Sequence, residues 1–171
     1  MIKDNRNPAD KLMTEEELAG IAGAGFGDAE HPGDDGDEYK YGGLGDDTMH
    51  GEGGDDTLQG GTGDDQIDGG AGNDHLSGNS GGDEIDGDSG NDHLSGGSGE
   101  DTLHGGTGDD DMTGGTGDDK MYGGSGDDTV DGDSGEDTLH GGSGDDTLKG
   151  GSGEDWMSGG EDDDSLDGGM G

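Results

Sequence analysis

The chain has no cysteine, one tryptophan, one phenylalanine and three tyrosines in 171 residues. Without cysteine, disulfides and thiolate metal sites are excluded. Hydrophobic residues make up 19% of the chain. That is too little apolar surface to offset the entropy of ordering an ordinary globular domain. Basic residues are also scarce: six Lys and Arg stand against 47 Asp and Glu, for a net charge of −41. Such a chain repels itself, nucleic acid and anionic membranes at neutral pH, and its natural partners are cations. No run is long and apolar enough for a transmembrane helix, so no membrane insertion is expected. The N-terminus also lacks the apolar core of a Sec-type signal peptide. Composition alone describes a disordered polyanion.

What is present in quantity is glycine, 48 residues of it, and it is periodic. From Gly42 to Asp167 the chain divides into 14 blocks of nine without an insertion, beginning GGLGDDTMH and ending GGEDDDSLD. Gly168 to Gly171 starts a fifteenth. Upstream, Gly33 to Tyr41 keeps the register as a degenerate leading repeat, with Glu38 in the sixth place and Lys40 in the eighth.

Two columns never vary in type. The sixth place is aspartate in every block: Asp47, Asp56, Asp65, Asp74, Asp83, Asp92, Asp101, Asp110, Asp119, Asp128, Asp137, Asp146, Asp155 and Asp164. The eighth is apolar in every block, from Met49 to Leu166. The first six places, rich in Gly and Asp, favour turns and tolerate positive φ. The last three set one apolar residue between two polar ones, the alternation of a very short half-buried strand. Turn and strand at a fixed period predict a solenoid with an apolar inner seam.

The repeat GG-x-G-x-D-x-U-x, with U apolar, resembles that of the RTX (repeats-in-toxin) proteins, which bind Ca²⁺. The resemblance covers residues 42–167. It implies an all-β right-handed parallel β-roll, two repeats per turn, with each strand stacking on the strand two blocks later, in two sheets. Fourteen repeats then give seven turns, roughly 33 Å of rod at ~4.7 Å per turn. It also implies that each ion sits between a turn and the turn two blocks later. The sixth-place aspartates of both turns, Asp47 with Asp65 and Asp56 with Asp74 onward, would ligate it together with main-chain carbonyls. That leaves 14 − 2 = 12 gaps between complete repeats, so about 12 ions at most. Aspartate and exposed carbonyls are hard oxygen donors, which suit the 6–8 oxygens that Ca²⁺ takes. The few apolar side chains cannot order this backbone alone, so an expanded chain is expected to fold on adding Ca²⁺.

Some positions depart from the pattern. Asp162 replaces the fourth-place glycine of the last block, and a distorted turn at the site of Asp164 is expected. Glu52, Asn79, Asp88 and Asp133 replace second-place glycines, a milder change. His75 and His93 lie two blocks apart and should stack on one sheet, while His50, His104 and His140 share another column. Solvated strand positions are expected for all five. Trp156 covers an end of the roll or merely substitutes for threonine.

Residues 1–41 differ in composition. Thr14-Glu15-Glu16-Glu17 forms a capping box before Leu18 and Ile21, which predicts a short helix over residues 14–22. The run Glu17-Leu18-Ala19-Gly20-Ile21-Ala22-Gly23-Ala24 also resembles a double-glycine leader, cut after Ala24 by the peptidase domain of an ABC exporter. The expected organisation is a leader with a short helix over 1–24, a linker and degenerate repeat over 25–41, and a β-roll over 42–171. A C-terminal secretion signal of the usual RTX kind is not expected after the repeats, and an uncapped last repeat would invite end-to-end self-association.

No nucleophile–base constellation, zinc-protease motif or phosphate loop is present, so no enzyme is expected. The expected function is that of a secreted, extracellular, bacterial calcium-binding protein with a structural or matrix role. The alternatives are a secreted bacteriocin-like effector precursor and a fragment of a larger RTX toxin or adhesin.

Overall fold

The computed structural model describes residues 25–171. The helix read over 14–22 and the leader over 1–24 lie outside the described residues. Seventeen strands follow one another and alternate between two parallel sheets, nine strands in one and eight in the other. Every neighbour in a sheet is two strands away in sequence, which makes a solenoid of about eight turns. The register is two blocks throughout: Leu58 pairs with Leu76, and Leu76 with Leu94. Pairing begins upstream of Gly33, where Gly25–Phe26 and Glu30–His31 join the two sheets opposite Gly43–Leu44 and Thr48–Met49.

The strands are longer than the three places that alternation suggests. Most run six residues, as in Thr57–Thr62 and Gln66–Ala71, through the first three places of the next block. Glycine fills the first of those places because a Cβ there would collide with the sixth-place carboxylate, as at Gly60, 2.2 Å from Asp65 Oδ2, and the sharp turn falls over places four to six. The eighth-place side chains point inward and form one seam. Twelve of them, Met49 to Leu148, are fully buried. Met157 is only partly buried against the seam, and Leu166 is 46% exposed. The last turns therefore do not bury the apolar column, because no further strand covers Leu166.

Two departures from the glycine pattern keep a positive φ. Asp162 adopts φ +78°, below the +104° to +152° of the fourth-place glycines, so that turn keeps its sense with a shifted backbone. Glu52, Asn79, Asp88 and Asp133 hold φ between +65° and +74° at the second place. Asp and Asn visit this region at small cost, and Glu52 at a larger one.

The outer faces carry stacked rings. His75 lies on His93 with centroids 4.7 Å apart. On the other sheet His104, Tyr122 and His140 stack at 4.9 and 5.1 Å, and Trp156 tilts against His140 at 4.6 Å. Trp156 is 54% exposed and extends this row.

Candidate metal centres

Each turn ends on its sixth-place aspartate, and the in-register stacking brings Asp47 beside Asp65 and so on down both edges. The Asp47 N–H donates to Oδ1 of Asp65 at 2.8 Å. The same bond joins Asp56 to Asp74, Asp83 to Asp101 and Asp128 to Asp146 at 2.8–2.9 Å. Asp146 reaches Oδ1 of Asp164 at 3.1 Å, so the last pair keeps the pattern. The backbone carbonyl of Asp47 is also engaged, accepting from the Gln66 N–H at 2.8 Å. One carboxylate oxygen of each aspartate is thus part of the frame that holds two turns together.

The other oxygen has no partner. Twelve of these aspartates, Asp47 to Asp146, are only 1–2% exposed, and Asp155 and Asp164 are half-buried. Oδ2 is buried and unsatisfied in 13 of the 14, all but Asp164. An unpaired buried anion costs several kcal/mol, so this column demands a cation or a proton. Burial pushes Asp65 and Asp110 up to about 6, and Asp83, Asp92, Asp119 and Asp128 up to about 7. Donation from the backbone N–H of the neighbouring turn opposes the rise, and adjacent aspartates add to it in Asp83 and Asp128.

The first-place glycine keeps room for the carboxylate. A Cβ on Gly87 would stand 2.5 Å from Asp92 Oδ2 and 2.6 Å from the Gly105 carbonyl oxygen. At Gly132 the same position is 2.5 Å from Asp137 Oδ2 and 2.6 Å from the Gly150 carbonyl. Carboxylate and carbonyl oxygens of successive turns therefore border one space that no side chain fills. Among the described residues no three His, Cys, Asp or Glu side chains converge on a point. Any ion held here takes most of its ligands from the backbone, which suits Ca²⁺ and not the N- and S-preferring Zn²⁺.

A model of the RTX calcium-binding nonapeptide repeat matches the chain in four copies, over residues 41–76, 77–112, 104–139 and 140–171. The chain belongs to this family. It is a calcium-binding RTX repeat protein with the parallel solenoid that the repeat specifies. A search of the curated proteins finds no match.

A second column of the RTX repeat contributes a ladder that sequence reasoning missed. Fifth-place Asp and Asn side chains accept from the backbone N–H of the next turn: Asp46 from Asp64 at 2.9 Å, Asn91 from Asp109 at 3.0 Å and Asp127 from Asp145 at 2.9 Å. The signal was available, since short Asp or Asn fills this place in ten blocks. One edge carries the ladder from Asp37 to Asp163. On the other edge Gly82 has no side chain to offer, and Glu100 and Glu136 are one methylene longer.

The histidine columns fall where the spacing puts them, on exposed or half-buried outer positions. His93 Nδ1 lies 3.5 Å from Asp111 Oδ2, and His50 Nδ1 3.3 Å from Asp68 Oδ2.

Proposed function

We propose that calcium-driven closure of the roll is itself the function of this chain, a non-enzymatic secreted protein with a structural or extracellular-matrix role. The observation that carries this reading is the column of buried Oδ2 atoms without partners. The sixth-place aspartates, Asp47 to Asp164, hold the ions, each ion between a turn and the turn two blocks later, with about 12 ions at most between the 14 repeats (14 − 2 = 12). Bound calcium supplies positive charge where the carboxylates are most crowded. The chain supplies the rest: Oδ1 fixes the spacing of the turns, the first-place glycine leaves the space open, and backbone carbonyls border it.

Export fits the same logic. At low intracellular calcium the polyanion stays expanded, and at millimolar external calcium it closes. A leader over residues 1–24, removed by an exporter peptidase after Ala24, completes this proposal, with a linker and leading repeat over 25–41 before the roll. Intact-mass measurement of exported material tests it, and a species retaining Met1 refutes the leader. Calcium titration followed by circular dichroism and small-angle scattering tests the central claim. The expected result is an expanded chain that becomes a compact β-rich rod; no change up to millimolar calcium refutes it. Light scattering on the folded form reads whether rolls then associate.

A further inference from the structure

Lys40 stands where every complete repeat has an apolar residue, and Glu38 where each has aspartate. The strand Tyr39–Leu44 is nonetheless in register with Thr57–Thr62, and Lys40 lies opposite Leu58. The lysine thus enters the inner seam rather than the solvent. Its side chain is only 13% exposed and that of Glu38 21%. An ammonium in such a place must be paired. Its Nζ donates to Oε2 of Glu38 and, at 2.6 Å, to the backbone carbonyl of His50.

These partners define a place in the array. The carbonyl of His50 borders the first-place glycine of the leading repeat: a Cβ on Gly33 would stand 2.5 Å from it and 2.2 Å from the carbonyl oxygen of Gly51, the first-place glycine two blocks later. The Glu38 N–H donates to Oδ1 of Asp56 at 2.8 Å, the same bond that joins each later pair of turns. The turns ending at Glu38 and Asp56 are therefore a rung like the others, with one difference. Elsewhere a carboxylate and a carbonyl oxygen border a space with no positive group in it. Here a carboxylate and a carbonyl oxygen converge on an ammonium.

We propose that Lys40 is a tethered cation that takes the place of calcium in the first rung of its own edge, so the turns of Glu38 and Asp56 close on the ammonium and hold no ion. The proposal rests on the calcium reading above and adds to it a rung that is independent of the ion. It explains two departures from the repeat as one device. The longer Glu38 reaches an internal partner, and the apolar column ends on a side chain whose methylenes lie in the seam while its head meets the turn. Terminal repeats of a solenoid are atypical, and this one carries its own positive charge by covalent attachment.

Ion counting by native mass spectrometry in saturating calcium tests this, combined with amide exchange. The double variant Glu38→Asp/Lys40→Met restores the repeat pattern and is expected to bind one more ion than the natural chain. Lys40→Arg keeps the cation and should leave the ion count unchanged. Lys40→Gln should lose exchange protection over Tyr39–Leu44, with the strands of residues 93–134 still protected. An equal ion count in the double variant, or unchanged protection in Lys40→Gln, overturns the role of Lys40 while leaving calcium binding intact. A natural chain that takes up no calcium overturns both readings.

Discussion

Replacing Asp101 with asparagine turns one buried anionic oxygen into an amide and leaves the backbone frame in place. Oδ1 of Asp101 accepts the Asp83 N–H at 2.8 Å, and an asparagine Oδ1 can do the same. The Asp101 N–H still donates to Oδ1 of Asp119 at 2.9 Å. What changes is Oδ2, which has no partner in the protein and which the proposed ions require. Asp101 is shared by the rung above, with Asp83, and the rung below, with Asp119. The substitution should therefore remove about two ions from the proposed maximum of 14 − 2 = 12. It should also raise the calcium midpoint for closure. In a solenoid each rung contacts only its neighbours, so the break should uncouple the two halves into separate transitions.

In chelator the sign reverses. To close without metal the natural chain must bury an unpaired carboxylate at this position, at an effective cost of several kcal/mol. The asparagine variant does not, so its metal-free form should be the more ordered of the two. Ion counting by native mass spectrometry and circular dichroism with and without chelator measure both arms. An unchanged ion count, or a variant less ordered than the natural chain in chelator as well as in calcium, refutes the reasoning.

Leu103→Ala, in the buried seam, should lower stability in saturating calcium by about 2–5 kcal/mol, whereas Leu166→Ala, 46% exposed, should cost much less. Urea titrations at fixed calcium compare them. Glu100→Asp should give the Asp118 N–H the short acceptor that its edge lacks and stabilise the roll by about 0.5–1.5 kcal/mol, read by the same titration. Tyr122→Ala removes the middle ring between His104 and His140 and should cost about 0.5–1.5 kcal/mol beyond lost area; an unchanged urea midpoint contradicts it. Without metal, Asp83, Asp92, Asp119 and Asp128 titrate near 7 in the roll against 3.8 ordinarily. The roll then binds more protons than the expanded chain between these values. That stabilisation is fully present below pH 3.8 and lost as pH rises through about 7, so acidifying the chelated chain should increase its circular-dichroism strand signal.

The parts of this fold legible in the sequence are those that repeat strictly. The nine-residue period and its apolar eighth place give a solenoid with an inner seam. The two-block register, which sets Asp47 beside Asp65 and Leu58 beside Leu76, is what the RTX resemblance implies, and the strand pairing has it. The roles of individual atoms are not legible there. The length of the strands depends on the first-place glycine, whose need for an absent Cβ is visible only when Asp92 Oδ2 stands over Gly87. The fifth-place ladder depends on side-chain reach, since Asp64 fits the next turn's N–H and Glu100, with one more methylene, does not. Asp162 reads as a broken turn because glycine is the default at positive φ, yet aspartate tolerates that region.

The same aspartate serves two ends, and this links register to ion binding. Oδ1 is consumed in spacing the turns, so in the closed roll the backbone of the neighbouring turn orients it. Oδ2 is then held in a fixed, buried position by the orientation of its partner. A chain that paired both oxygens with N–H donors would fold without metal, and one that paired neither would have no fixed site. Splitting the carboxylate makes the hydrogen-bonded frame and the charge imbalance arise together at every turn. Lys40 fits the same rule: where a positive group is built into the seam, the adjacent sixth-place residue is the one that departs from aspartate.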